Sequence, residues 1–281
     1  PPPPPPRPPP SALPPRATLA PAVSAALAVP PPDTSRLRAN ALLALPDCND
    51  DHAHPRLPSD VEPDRFYQDS MAAAFGGTTA FLAFNNPGTG ISDEGSSSLL
   101  AGMREFRART AGESAIDFGL SAVLSGQQPD PVAELPALIE AGVPTAKAFM
   151  VYDFRLTDER LFAALQAMGR NGGMLQVHCE NATIIDALVS RAFEQGEVAS
   201  RHHALTRPTY AEAEATHRAI ALAQAAEASV YVVHLSCADA LADDHAAQAR
   251  GWPVDPATCP HALASPAARS GPADPTSARE S

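Results

Sequence analysis

A parallel α/β fold of the (β/α)8 barrel kind, with strands one to about six or seven of eight, is what this sequence predicts. Three observations carry that prediction. Short apolar runs alternate with helical segments over about 200 residues, the pattern of a parallel sheet with crossover helices. No GxGxxG or GxxxxGKS/T motif occurs, so a nucleotide-binding version of the architecture has no support. Four histidines stand where strands should end, and in a barrel the C-terminal strand ends share one mouth.

The elements follow in order. His52 and His54 sit in PDCNDDHAHPRLP, read as the first strand and its exit. TTAFLAF (78–84), AIDFGLSAV (115–123), PTAKAFMVY (144–152), GMLQVH (173–178) and ASVYVVHL (228–235) read as the next five. They are apolar nearly throughout, as strands covered on both faces should be. A seventh falls near Pro253–Ala257. Thr157 caps a helix with Leu161, Leu165 and Met168 on one face, and Gly172–Gly173 stop it. Residues 182–195 place Ile184, Leu188 and Ala192 together; 209–227 and 237–249 complete the helices.

Composition bounds the function. Hydrophobic residues make up 44% of the 281, enough for a substantial core. The net charge of −12, with no basic stripe, argues against nucleic acid and against anionic membranes as partners. No apolar run reaches a membrane span's length. Cys48, Cys179, Cys237 and Cys259 lack CxxC spacing and read as reduced thiols of a cytoplasmic protein. Fifteen of the 31 prolines fall in residues 1–32, so 1–40 is expected to be a disordered leader. Residues 264–281 read as a disordered tail, which leaves 41–263 for the barrel. The start at Pro1 reads as a partial or mis-started frame.

The chemistry gathers at the histidines. On a strand, residues i and i+2 face the same side, so His52 and His54 can bind one ion. His178 ends one strand and His234 lies near the end of another. A lone strand-end histidine is usually structural; four converging on one mouth point to metal. Lys147 lies inside an apolar strand, where an ammonium is costly to bury. It is either a snorkelling or ion-paired lysine, or one carbamylated by CO₂ into a carboxylate that bridges two cations. Asp50 and Asp51 either orient the imidazoles or are loop carboxylates. His202 and His203 read as solvated loop residues, His217 and His245 as outward helical ones, and Cys179 as core.

FGGTTAFLAF, KAFMVY, VHCEN, RPTYAEAEATHRAIALA and YVVHLSCADAL, in that order, resemble segments of the dihydropyrimidinase/hydantoinase family of cyclic amidohydrolases. The resemblance implies hydrolytic opening of a dihydropyrimidine or 5-substituted hydantoin by a metal-bound hydroxide. It implies two divalent ions, Zn²⁺ by donor type, one on His52 and His54 and one on His178 and His234, bridged by carbamylated Lys147. Tyr152 would donate to the developing oxyanion, and a tetramer is the family's assembly. His261 matches a loop motif that is not a ligand there.

The sequence also departs from that pattern. No residue corresponds to the family's aspartate on strand eight, and its small β-sandwich domain is expected to be absent. Asp47-Cys48 replaces the usual Gly-Gly turn before the H-x-H. Arg56 makes H-x-H-x-R, which resembles the substrate-carboxylate arginine of dihydroorotases. A dihydroorotase or allantoinase, a non-catalytic dihydropyrimidinase-related scaffold and an inactive fragment are therefore the alternatives.

Overall fold

The computed structural model describes residues 48–85 and 98–259. The proline-rich leader, the C-terminal tail and His261 lie outside them. Seven parallel strands pair in simple sequence order: β1 (Asn49–Ala53), β2 (Ala80–Phe84), β3 (Asp117–Val123), β4 (Thr145–Phe149), β5 (Met174–His178), β6 (Val230–Val232) and β7 (Val254–Pro256). The sheet curls as an incomplete barrel. The Tyr231 hydroxyl on β6 donates to the Asp51 carboxylate on β1, with four strands between them in the order.

Eight helices flank the strands among the described residues: α1 (Arg65–Phe75), α2 (Leu99–Thr110), α3 (Leu135–Glu140), α4 (Asp158–Arg170), α5 (Ala182–Glu194), α6 (Arg201–Leu205), α7 (Thr209–Ala225) and α8 (Ala238–Ala249). The sequence pattern identified α4, α5, α7 and α8. It missed α1, which buries only Phe66 and Ser70, and the short α3 and α6, whose length gives periodicity little to show. It missed α2 as well, although Ser98 caps that helix by accepting from the Ala101 N–H.

Thr157 caps α4 by accepting from the Arg160 N–H, and Leu161, Leu165 and Met168 lose all exposure. Burying each contributes about 1.5–3 kcal/mol, and Leu165→Ala would forfeit roughly 2–5 kcal/mol. In α5 the buried face is Ala182, Ile185 and Ala192 rather than Ile184, Leu188 and Ala192. Docking against Val151 and Ala211 sets that phase, leaving Ile184 packed at the margin.

The outward side chains of the strands make the main core. Ala146 and Ala148, Leu175 and Val177, and Val230 and Val232 all pack there with the helices. The inward positions differ in kind. Register sets Lys147 level with Val123 and Gln176, Gln176 level with Tyr231, and Phe149 level with His178. Lys147, Gln176 and Tyr231 thus stand among apolar Val123 and Phe149 at these positions, and the histidines stand at the C-terminal rim.

Two strands stop earlier than their apolar runs. β4 ends at Phe149 because the chain turns at Tyr152, whose φ is +73°. β6 ends at Val232, and His234 follows with φ +41°. Both turns aim a site side chain across the barrel mouth.

Candidate active site

His52, His54, Lys147, His178 and His234 come together at one end of the sheet. His52 and His54 bring their Nε2 atoms within 3.2 Å. The His52 ring centroid lies 5.3 Å from that of His234, which lies 4.5 Å from that of His178. Lys147 Nζ reaches to 3.4 Å from His52 Nε2 and has no solvent exposure. Phe84 lies against both His52 and His54, and Phe149 stacks on His178, so apolar plates enclose the cluster on two sides.

This enclosure sets the charge state. Burial, then Lys147 and the neighbouring imidazoles, push His52 down to about 2. Burial, then His178 and Lys147, push His234 to about 3. Burial also lowers His178, although the Glu180 carboxylate opposes it; His54, which keeps an edge exposed to solvent, is lowered by partial desolvation and by Lys147. Lys147 falls to about 7 through burial alone, since the thiols beside it act the other way. At neutral pH the cluster is therefore a set of uncharged imidazoles with a lysine whose amine loses its proton far more readily than a free one.

The donor chemistry fits a cation. Neutral imidazoles are the metal-binding form, and a lysine titrating near neutrality can react with CO₂. His52 Nδ1 is buried and has no hydrogen-bond partner among the described residues. Among the described residues no three His, Cys, Asp or Glu donors already surround one point as a finished cage would. The rings meet one another and the Lys147 amine instead.

A cavity of about 290 Å³ opens beside the cluster, walled in part by Tyr152, His178, Glu180, Arg207, His234 and Cys259. The Tyr152 ring lies 5.5 Å from that of His178. Burial raises its hydroxyl's pKa against the pull of Arg207, so it stays a donor at neutral pH.

Two residues with no role assigned from sequence shape this wall. His178 Nε2 donates to Glu180 Oε2 at 2.7 Å, which leaves Nδ1 as the ring's lone-pair nitrogen. Arg207 approaches the same Glu180 oxygen at 3.5 Å. Their signal lay in VHCEN and RPTYAEAEA, but spacing alone could not bring residues 180 and 207 together.

Other candidates sit elsewhere. Arg56 is largely exposed, pairs with Asp69 at 3.6 Å, and is not among the residues lining the cavity. His202 corrects the expectation of a solvated loop: it lies in α6, only 9% exposed, with Nδ1 3.2 Å from Glu197. His203 is exposed, as expected, yet lines the cavity. His217 and His245 are exposed on helices, and Cys179 is buried, as expected. Asp50 accepts from the His52 backbone N–H, while Asp51 takes the Tyr231 hydroxyl.

The curled parallel β/α sheet, with histidines and a buried lysine at its C-terminal rim, is an incomplete β/α barrel. In sequence and in fold the chain is a relative of the D-hydantoinases and dihydropyrimidinases. It is 37% identical over 229 residues to a D-hydantoinase of Streptomyces coelicolor, covering 80% of this chain and 48% of that one. It is 33% identical over 211 residues to dihydropyrimidinase 1 of Caenorhabditis elegans, covering 73% and 42%. A solved D-hydantoinase matches with a TM-score of 0.72 at 31% identity, over 82% of this chain and 50% of that one. The dihydropyrimidinase of Brevibacillus agri matches at 0.70 and 35%, over 79% and 48%. The chain spans about half the length of the curated relatives it matches. No family model matches.

Proposed function

We propose that the chain carries the metal-binding half of a cyclic amidohydrolase that opens dihydropyrimidine or 5-substituted hydantoin rings. The observation that carries this reading is the meeting of four uncharged histidines with buried Lys147, in a relative of D-hydantoinases. His52 and His54 would hold one divalent ion, His178 and His234 a second, with carbamylated Lys147 between them. Zn²⁺ suits such imidazole and carboxylate donors. When bound, the ions supply Lewis acidity and a water activated near neutral pH.

The chain's own residues do the rest. Phe84 and Phe149 exclude bulk water on two sides of the cluster, which strengthens the electrostatics inside it. Tyr152 keeps its proton and donates it in a hydrogen bond to the carbonyl oxygen as charge collects there. Water adds to the ring carbonyl, the ring C–N bond breaks, and the freed nitrogen takes a proton while a carboxylate forms. The cavity of about 290 Å³ suits a small cyclic amide.

The test is metal per chain after expression with zinc and bicarbonate, beside Lys147→Ala. Near two ions for the parent and a clear loss in the variant are expected. No metal above the variant overturns the reading and favours an inert or scaffolding chain. Ring-opening is then assayed on hydantoin, dihydrouracil, allantoin and dihydroorotate. Preference for either of the last two would overturn the substrate class.

A further inference from the structure

Arg207 stands at the junction between α6 and α7, outside the histidine cluster, yet its guanidinium meets three walls of the cavity. Nη1 pairs with Glu180 Oε2 at 3.5 Å as an ion pair rather than a hydrogen bond, Nε donates to His203 Nε2 at 3.1 Å, and Cζ sits 5.6 Å above the Tyr152 ring. Glu180 in turn accepts from His178 Nε2 at 2.7 Å. Arg207 is 19% exposed and Glu180 16%, so solvent screens this pair less than a surface pair.

We propose that Arg207 is a positioning residue: it holds the Glu180 carboxylate that orients His178, and packs over Tyr152. A guanidinium suits the task because its delocalised charge can pair with Glu180 and lie over the Tyr152 ring while Nε donates to His203. A lysine at this position keeps the charge but can neither stack in that way nor serve Glu180 and His203 together. The carboxylate fixes which His178 nitrogen bears the proton, and Arg207 fixes the carboxylate. Outer partners of this kind govern metal affinity through ligand orientation. Pro208 follows directly and begins the approach to α7, so the arginine's backbone is held by that junction.

The proposal rests on the reading of His178 as a ligand, and the experiment separates the two. Cobalt(II) alone is titrated into the chain, and the visible d–d spectrum and affinity are read for the parent, Arg207→Gln, Arg207→Lys and Glu180→Gln. Thermal melts of the metal-free proteins run alongside. The expected result is a 10–100-fold weaker affinity and a shifted spectrum for Arg207→Gln. Glu180→Gln should behave similarly, Arg207→Lys should fall between, and melting points should stay close to the parent's. Parent-like spectra and affinities in both Arg207 variants would overturn the positioning role while leaving the metal reading intact. If Arg207→Gln unfolds, Arg207→Lys decides: a shifted spectrum supports the role and a parent-like one overturns it. Absence of cobalt binding by the parent would overturn the ligand reading and this inference with it.

Discussion

Lys147 Nζ, fully buried, lies 3.4 Å from Nε2 of the half-buried His52 at the barrel rim. Two like-natured basic groups in contact cannot both carry a proton. Burial has lowered both, to about 7 and about 2 respectively.

That relationship makes the metal-free protein's stability depend on pH. The Lys147 value is depressed in the folded state, from 10.5 to about 7, so the unfolded chain binds more protons between those values. Stability therefore rises as pH climbs from about 7 towards 10.5, and the deficit is full below 7. The ceiling on this effect is on the order of 5 kcal/mol. Lys147→Met removes the amine while keeping apolar bulk. In metal- and bicarbonate-free urea melts, the variant should exceed the parent at pH 7, and the gap should narrow steadily as pH rises towards 10.5. Parallel pH curves for the two proteins would sink the prediction.

The same position shows how far sequence could go. Lys147 is conspicuous because an apolar strand surrounds it, and H-x-H spacing points His52 and His54 the same way even though β1 ends at Ala53, one residue short of His54. Strand alternation was equally legible, because parallel strands advertise burial on both faces. What stayed hidden was contact across elements. Glu180 and Arg207 meet through the α6–α7 junction, 27 residues apart in sequence, and α6 is too short to show a period. His202 looked solvated because its neighbours are polar, yet Glu197 gives it a partner that permits burial. Arg56 matched a motif, but Asp69 holds it at the surface.

Asp51 and Tyr231 join the first strand to the sixth across the curl. Their bond should contribute about 1 kcal/mol of coupling, larger if the carboxylate is charged. A double-mutant cycle with Tyr231→Phe and Asp51→Asn measures it directly. Hydrogen exchange in Asn49–Ala53 should also quicken in either variant, because β1 pairs with β2 alone among the described strands. Strictly additive effects would mean the curl closes without this bond.

Asp244 is a liability of the fold. It has no exposure on α8, neither carboxylate oxygen finds a hydrogen-bond partner among the described residues, and burial raises its pKa. A raised carboxylate costs stability once pH exceeds its unfolded value, so the parent weakens as pH rises from 3.8 through the folded value. Asp244→Asn should therefore gain roughly 1–3 kcal/mol at pH 7, since the charge is what burial penalises most. The gain should vanish below pH 3.8 in chemical denaturation at matched ionic strength. An equal gain at both pH values would assign it to something other than the charge.

Tyr152 reverses the usual ranking of alanine and glycine. Its φ of +73° lies in the left-handed region, which L residues with a Cβ enter at a cost of about 1–2 kcal/mol. The turn is held because the Tyr152 carbonyl accepts from Arg155 Nη1 at 2.7 Å, and its ring packs against Phe149, Phe154 and His178. Tyr152→Ala and Tyr152→Gly lose that ring equally, so their difference isolates the backbone. Glycine should come out more stable by about 1 kcal/mol, opposite to its rank in ordinary strand or helix positions. Should alanine prove equal or better, the turn relaxes once the ring is gone, and the aromatic packing rather than the chain path holds the phenol over the cavity.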